Sequence, residues 1–321
     1  MVLEVIVTSD YEHMSRVAAD ILISAMGIAT LQEKRMFNLG LATGNSPKGL
    51  YSAMVNRQAE YYAPRIRAWI LDEYLDLPKV HGMDSHPKSY KAYIIHHLAS
   101  RIDPHFAEAN FLEGLSSDLS QLKRDLLDGS SVQMVGNYSG KAVMIAEDCS
   151  HQDLLRIKKI LGQYSKRIYE AGGIDWQIVS TGSKGHLGFH EKGIPFEADD
   201  VILVKLDEQT IIDAVEDNHF PSREEAPQYT LSLSATGVVN LCKNVLVLAS
   251  GSRKTEPVSK SLLGDITPDV PISILQRYAS HNGTFSNRKA IYVVDQAAAA
   301  EIIGCERKLA NKGITVQDLR G

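Results

Sequence analysis

The chain has 321 residues, 44% hydrophobic and 23% charged, with a formal net charge of -5. This is ordinary globular composition, sufficient for one large α/β domain or two smaller ones. A slightly acidic chain exerts no global pull on nucleic acid or an anionic membrane, so an anionic ligand needs a local site.

The first residues, MVLEVIVTSDYEHMS, have no basic region and too short an apolar run for a signal peptide. No stretch is expected to reach the roughly 20 apolar residues of a membrane span. LEVIVTS reads as a strand, and Asp10 is placed to cap a helix ending near Glu33. MFNLGLA is a short apolar strand followed by the turn TGNSP, with Pro47 suited to the first turn of a helix through KGLYSAMVNRQ. IRAWIL is a strand ending in the polar DEYLDL, and HPKSYKAYIIHHLASR a helix. ANFLEG is strand-like. SVQMV and KAVMIA flank GNYSG as a hairpin, which interrupts the rhythm near 120–150. HQDLLRIKKILGQYSKRIYEAGG is a periodic helix stopped by paired glycines. IDWQIVS, DVILVKL, KNVLVLAS and KAIYVVD are further strands; QAAAAEII begins a closing helix, and the last residues form a surface helix and tail.

Strands alternating with helices predict a mainly parallel sheet with helices on both faces, a Rossmann-like three-layer α/β sandwich. In such sheets ligands sit at the carboxyl ends of the strands. Four polar turns fall there: TGNSP, DEYLDL, TGSKGH and SGSRK. Each alone is an ordinary solvated turn; together they predict one shared site. One domain over residues 1–321 is expected, with the hairpin segment inserted. Three cysteines, Cys149, Cys242 and Cys305, show no CxxC spacing, so free thiols in a reducing cytoplasm are expected. His81, His86, His96 and His97 do not share one face, and no metal is expected.

Several pieces, in order, resemble the glucosamine-6-phosphate deaminase/isomerase family: LGLATGNSPKGLYSAMV, ILDEYLDLP with HPKSYKAYI, GGIDWQIVSTGSKGHLGFHEKG, VLVLASGSRK and VPISILQ. The resemblance implies the Rossmann-like fold and conversion of an amino-sugar 6-phosphate to a keto-sugar phosphate and ammonia, without metal or nucleotide cofactor. A sister branch, the 6-phosphogluconolactonases, shares the fold and the phosphate loops. The expected partner is a small-molecule sugar phosphate, with no nucleic acid or membrane, and a homo-oligomer is expected.

Thr43, Gly44, Asn45 and Ser46 offer backbone N–H groups and a hydroxyl at a helix start, a setting suited to phosphate. By resemblance Lys254 adds a full charge, and Glu73 is grouped with the binding residues. Asp72 matches the family's base, which moves a proton between C2 and C1 of the open-chain sugar; read alone it is a helix cap. His186 matches the ring-opening acid, with Glu191 as its companion. The family's aspartate two residues before this histidine is Lys184 here. An ammonium there opposes an imidazolium, unless Lys184 binds anion, acts as an acid or points to solvent. His190 stands where asparagine is frequent and Lys192 where proline is usual. The family's phosphate arginine is missing; His219 or Arg223 is the candidate substitute. Two alternatives remain: a lactone hydrolase and a sugar-phosphate-binding protein without turnover.

Overall fold

The computed structural model describes residues 2–57, 63–102, 106–112, 119–279 and 287–321. The ends of the expected helix 48–58 and strand 109–114 lie outside them.

Eight strands form one wholly parallel sheet. They are β1 (Val2–Thr8), β2 (Phe37–Leu41), β3 (Ile66–Ile70), β5 (Glu108–Asn110), β8 (Ile174–Ser180), β11 (Cys242–Ala249), β12 (Lys289–Asp295) and β13 (Ile314–Asp318). Their order is β13-β1-β12-β11-β8-β2-β3-β5. Strands buried on both faces read as continuous apolar runs rather than alternating ones, as VLVLA in β11 does. Of the four predicted turns, three leave the neighbouring strands β2, β8 and β11. The fourth follows β3, which lies beside β2. Adjacency at one edge of the sheet is what brings distant motifs together.

A second sheet corrects the sequence reading. β4 (Asp72–Tyr74), β6 (Val132–Val135), β7 (Lys141–Ile145), β9 (Val201–Lys205) and β10 (Tyr229–Leu233) pair antiparallel in the order β4-β10-β9-β7-β6. The segment DEY is thus a strand, not a loop, and DVILVKL leaves the parallel sheet. Leu71 joins the two layers: its N–H donates to Leu41 of β2, and its carbonyl accepts from Leu233 of β10. The expected hairpin is present as β6 and β7.

The helices are α1 (Tyr11–Gly27), α2 (Asn45–Asn56), α3 (Tyr90–His97), α4 (Leu119–Leu127), α5 (Gln152–Glu170), α6 (Glu208–Glu216), α7 (Ala235–Leu241), α8 (Thr255–Leu263) and α9 (Glu306–Asn311). α1 is capped by Asp10, whose carboxylate accepts the His13 N–H. A single π turn extends it to Gln32. Tyr11–Gln32 is long and apolar enough to cross a membrane, contrary to the sequence expectation, and half of its apolar window is packed inside the fold. Met14, Ala18, Leu22 and Met26 recur at helical spacing and are buried, and α1 packs on α2 and β12. QAAAAEII is a run of turns; the terminal segment forms α9 and then β13, an added edge strand beside β1.

Candidate active site

At the carboxyl edge of β2, β8 and β11 lies a cavity of about 630 Å³. Thr43, Gly44, Asn45 and Ser46 line it from one side, His186 from the loop after β8, and Arg253 and Lys254 from the turn after β11.

The anion-facing wall rests on backbone geometry. Gly44 has φ 101°, a conformation that favours glycine, and this turns the chain into α2. Two tyrosines hold the turn: Tyr11 donates its hydroxyl to the Asn45 carbonyl and accepts the Gly49 N–H, and Tyr93 donates to the Gly44 carbonyl. The free N–H groups at the start of α2 are therefore fixed before any ligand arrives. Across the cavity, Gly251 at φ 85° precedes Ser252–Lys254, and buried Asp295 accepts from Ser250 and the Gly251 N–H. Lys254 stands at the start of α8. Burial, then the neighbouring Arg253, pushes its ammonium below the usual lysine range; an arriving anion would reverse that penalty.

Three other charged residues in the cavity are already engaged. Arg253 pairs with Asp217 at 2.8 Å. Asp213 accepts from Ser183 at 2.8 Å and from Gln209 at 2.9 Å. Of the two candidates for the missing arginine, His219 lines the cavity and Arg223 does not. Burial, then Lys88 against Asp217's opposing pull, leaves His219 below the ordinary histidine range. This favours a neutral hydrogen-bonding imidazole over a cation.

The proton-handling wall is assembled from separate segments. Alternation along β4 puts Asp72 and Tyr74 on one face and Glu73 on the other. Asp72 is 5% exposed, and its Oδ1 is buried without a hydrogen-bond partner. Burial, then the charge of Glu73, lifts its carboxyl well above the usual range. It sits behind the cavity lining, beside the loop after β8: a Cβ on Gly188 would lie 3.4 Å from Asp72 Oδ2. Opposite Asp72 in register is Ser232, whose hydroxyl accepts the Phe189 N–H at 3.0 Å.

His186 packs over Gly182, where a Cβ would meet the ring at 2.1 Å. Its Nδ1 is buried without a hydrogen bond and lies 3.6 Å from Glu191 Oε2. Glu191 is 1% exposed. A buried carboxyl this close to a ring nitrogen helps to set the ring's orientation.

Four residues predicted for the site lie outside the cavity lining: Asp72, Glu191, Glu73 and Lys184. Glu73 accepts the backbone N–H groups of Tyr74, Tyr90 and Lys91, at 2.8 to 2.9 Å. Its oxygens serve the start of α3, and no capacity is directed at substrate. Burial nevertheless lifts its carboxyl to about 7, against those three donors. Lys184 is exposed. Burial would raise the Asp207 carboxyl, but Ser139, Gln209 and Gly140 hold it below the usual range, with the Lys184 charge adding to them. Lys184 thus faces carboxylates at the rim. His190 is structural: its Nε2 faces the Ile194 carbonyl at 2.9 Å, and its Nδ1 accepts the Ala235 N–H. Burial lowers it to about 4, so it is neutral.

Sequence reasoning missed an aromatic wall. Tyr74, Tyr90 and Phe189 line the cavity, Tyr90 stacks on Phe189 with ring centres 5.7 Å apart, and the Tyr90 hydroxyl bonds Tyr74 and Thr43. The only signal was an aromatic residue beside each motif. Among the described residues, no three His, Cys, Asp or Glu side chains form a metal-holding group.

No protein-family model matches the chain. A curated glucosamine-6-phosphate deaminase from Clostridium acetobutylicum is 30% identical over 299 residues, spanning 92% of this chain and 99% of the relative. The chain belongs to the glucosamine-6-phosphate deaminase family. A second deaminase of this family, from Clostridium botulinum, is 29% identical over 302 residues, covering 94% of this chain and 99% of its own. Among solved structures, a monomeric glucosamine-6-phosphate deaminase superposes with a TM-score of 0.68 at 23% identity, over 94% of this chain and 99% of its own. A 6-phosphogluconolactonase from Leishmania guyanensis gives 0.56 at 18%, over 93% and 98%. The fold is therefore shared with the lactonase branch, while the sequence likeness falls on the deaminase family.

Proposed function

We propose that the protein is an amino-sugar 6-phosphate deaminase, converting glucosamine- or galactosamine-6-phosphate and water to the keto-sugar phosphate and ammonia. One observation carries this reading. A preset anion site and His186 share one cavity, with Glu191 3.6 Å from the ring and, beside the same loop, a buried carboxyl with an unpartnered oxygen. The phosphate would sit on the start of α2 and on Lys254. His186, oriented by Glu191, would give a proton to the ring oxygen and open the sugar. Asp72 would then take the C2 proton, leaving an enolamine, and return it to C1. The resulting C2 iminium adds water and expels ammonia. Burial beside apolar and aromatic walls suits Asp72 to this task, because a raised pKa makes it a stronger base once ionised.

Cys149 and Cys242 are buried free thiols, which supports a reducing cytoplasm as the compartment. The test is ammonia release from glucosamine-6-phosphate and galactosamine-6-phosphate, beside hydrolysis of 6-phosphogluconolactone. Ammonia release that Asp72→Asn abolishes supports the reading; lactone hydrolysis without ammonia would replace it.

A further inference from the structure

Of four consecutive residues of the β6–β7 turn, three touch the segment that carries Glu191 and the fourth, Ser139, touches Asp207. The Asn137 N–H donates to the Gly193 carbonyl at 3.2 Å. The Tyr138 ring lies under the Lys192 ammonium, 4.4 Å from its centre, and leaves no room for a Cβ on Gly193. Ser139 donates its hydroxyl to Asp207 Oδ2 at 2.5 Å. Gly140 abuts Glu191: a Cβ there would fall 2.7 Å from Glu191 Cβ and 2.9 Å from its Cγ. Lys192, which stands where proline is usual, is therefore matched by the inserted hairpin.

Asp207 is the joint of this arrangement. Its Oδ1 caps α6 by accepting the Gln209 N–H at 2.9 Å, and its Oδ2 takes Ser139 and the Gly140 N–H. Its own N–H points to Glu191 Oε1 at 3.3 Å, while Glu191 Oε2 faces His186. One Glu191 oxygen is thereby tethered to the hairpin system and the other is presented to the ring. We propose that Ser139 and Asp207 are positioning residues, and that the 136–140 turn is a clamp holding Glu191 against His186; this rests on the function proposed above. A side chain fixed by its surroundings keeps the geometry that proton transfer requires, and a loose one loses rate before it loses substrate binding.

The test separates the clamp from general support. Ser139→Ala cuts the hairpin tie and leaves the α6 cap intact. Gly140→Ala crowds Glu191 without removing a hydrogen bond, and Asp207→Asn keeps the cap and a partner for Ser139. Ser139→Ala should lower kcat by about three- to tenfold with KM within about twofold. Gly140→Ala should lower it further, and Asp207→Asn, whose amide NH₂ would face the Gly140 N–H, should fall between Ser139→Ala and wild type. The NMR resonances of the His186 ring, assigned by their loss in His186→Asn, should move in the first two variants. His186 shares its cavity with Lys48, Asp213, Asp217, His219, Arg253 and Lys254, all untouched by these changes. Wild-type kcat and ring resonances in both Ser139→Ala and Gly140→Ala, or a rise in KM alone, would overturn the clamp. If the wild-type protein releases no ammonia, the proposed function falls, and the ring resonances still decide the clamp.

Discussion

The two ends of the cleft are built by different means. At the anion end the determinants are local: a positive-φ glycine, a helix start and a lysine, each within one short motif. At the proton-transfer end they come from β4, the loop after β8, the first residue before α6 and the β6–β7 turn. What matters at the first end is a field set by backbone dipoles. At the second it is burial and fixed contact between side chains far apart in sequence. Damage should therefore weaken binding at one end and rate at the other.

Asp72→Asn should have the largest effect, a loss of about 10²–10⁴-fold in kcat with substrate binding kept within a few-fold. The same change should stabilise the protein. A carboxyl whose folded pKa lies well above its unfolded value of 3.8 contributes most to stability below that value. The contribution is lost as pH rises from the unfolded value through the folded pKa, so wild type loses stability with rising pH where Asp72→Asn does not. The gain in Tm for Asp72→Asn should be larger at pH 8 than at pH 5. A variant less stable than wild type at pH 8 would deny that this buried carboxyl is under strain. Next in size, Lys254→Met should raise KM by about 10–100-fold at nearly constant kcat, the worth of one charge-assisted contact to phosphate. A fall in kcat of equal size would merge the two ends of the cleft into one machine.

Adjacent carboxyls on β4 sharpen the contrast. Glu73 faces three N–H donors where Asp72 faces none at Oδ1. Glu73→Gln sets an NH₂ against those donors and should cost about 1–3 kcal/mol of stability, read by denaturant unfolding, while kcat changes only a few-fold. Stability rising in Glu73→Gln would make the two carboxyls equivalent. Glu73's own pH dependence has the sign of Asp72's: with its carboxyl raised to about 7, its contribution is full below 4.5 and lost as pH climbs through 7.

The same local–distant divide explains what the sequence made legible. TGNSP, SGSRK and the strands before them were readable because glycine, small polar residues and β-branched runs act on their own neighbourhood. DVILVKL was assigned to the parallel sheet because a buried strand of either sense is an unbroken apolar run. DEY was too short for alternation to reveal a strand, so the opposite facing of Asp72 and Glu73 was hidden. The Tyr74–Tyr90–Phe189 wall joins three segments, and no spacing rule announces it. α1 reached membrane-like length without announcing that α2 and β12 cover it. The hairpin was visible as a turn between alternating strands; that its tip reaches Glu191 was not.

Lys184 is the smallest expected effect and the most direct check on this divide. From sequence it stands two residues from His186, close enough to repel an imidazolium. In the fold it is exposed at the rim, where its charge acts on Asp207 and, behind Lys260, on Glu256. An exposed charge interaction of this kind is worth little and is screened by salt. Lys184→Ala should therefore leave kcat within about threefold of wild type. Lys184→Asp adds a third carboxylate beside Asp207 and Glu256, so it should not raise activity, although it restores the residue the family resemblance calls for. Measured at low and high ionic strength, both variants should converge on wild type as salt rises. A gain of tenfold or more in Lys184→Asp would mean that sequence neighbourhood, not the folded placement, governs the charge seen by His186.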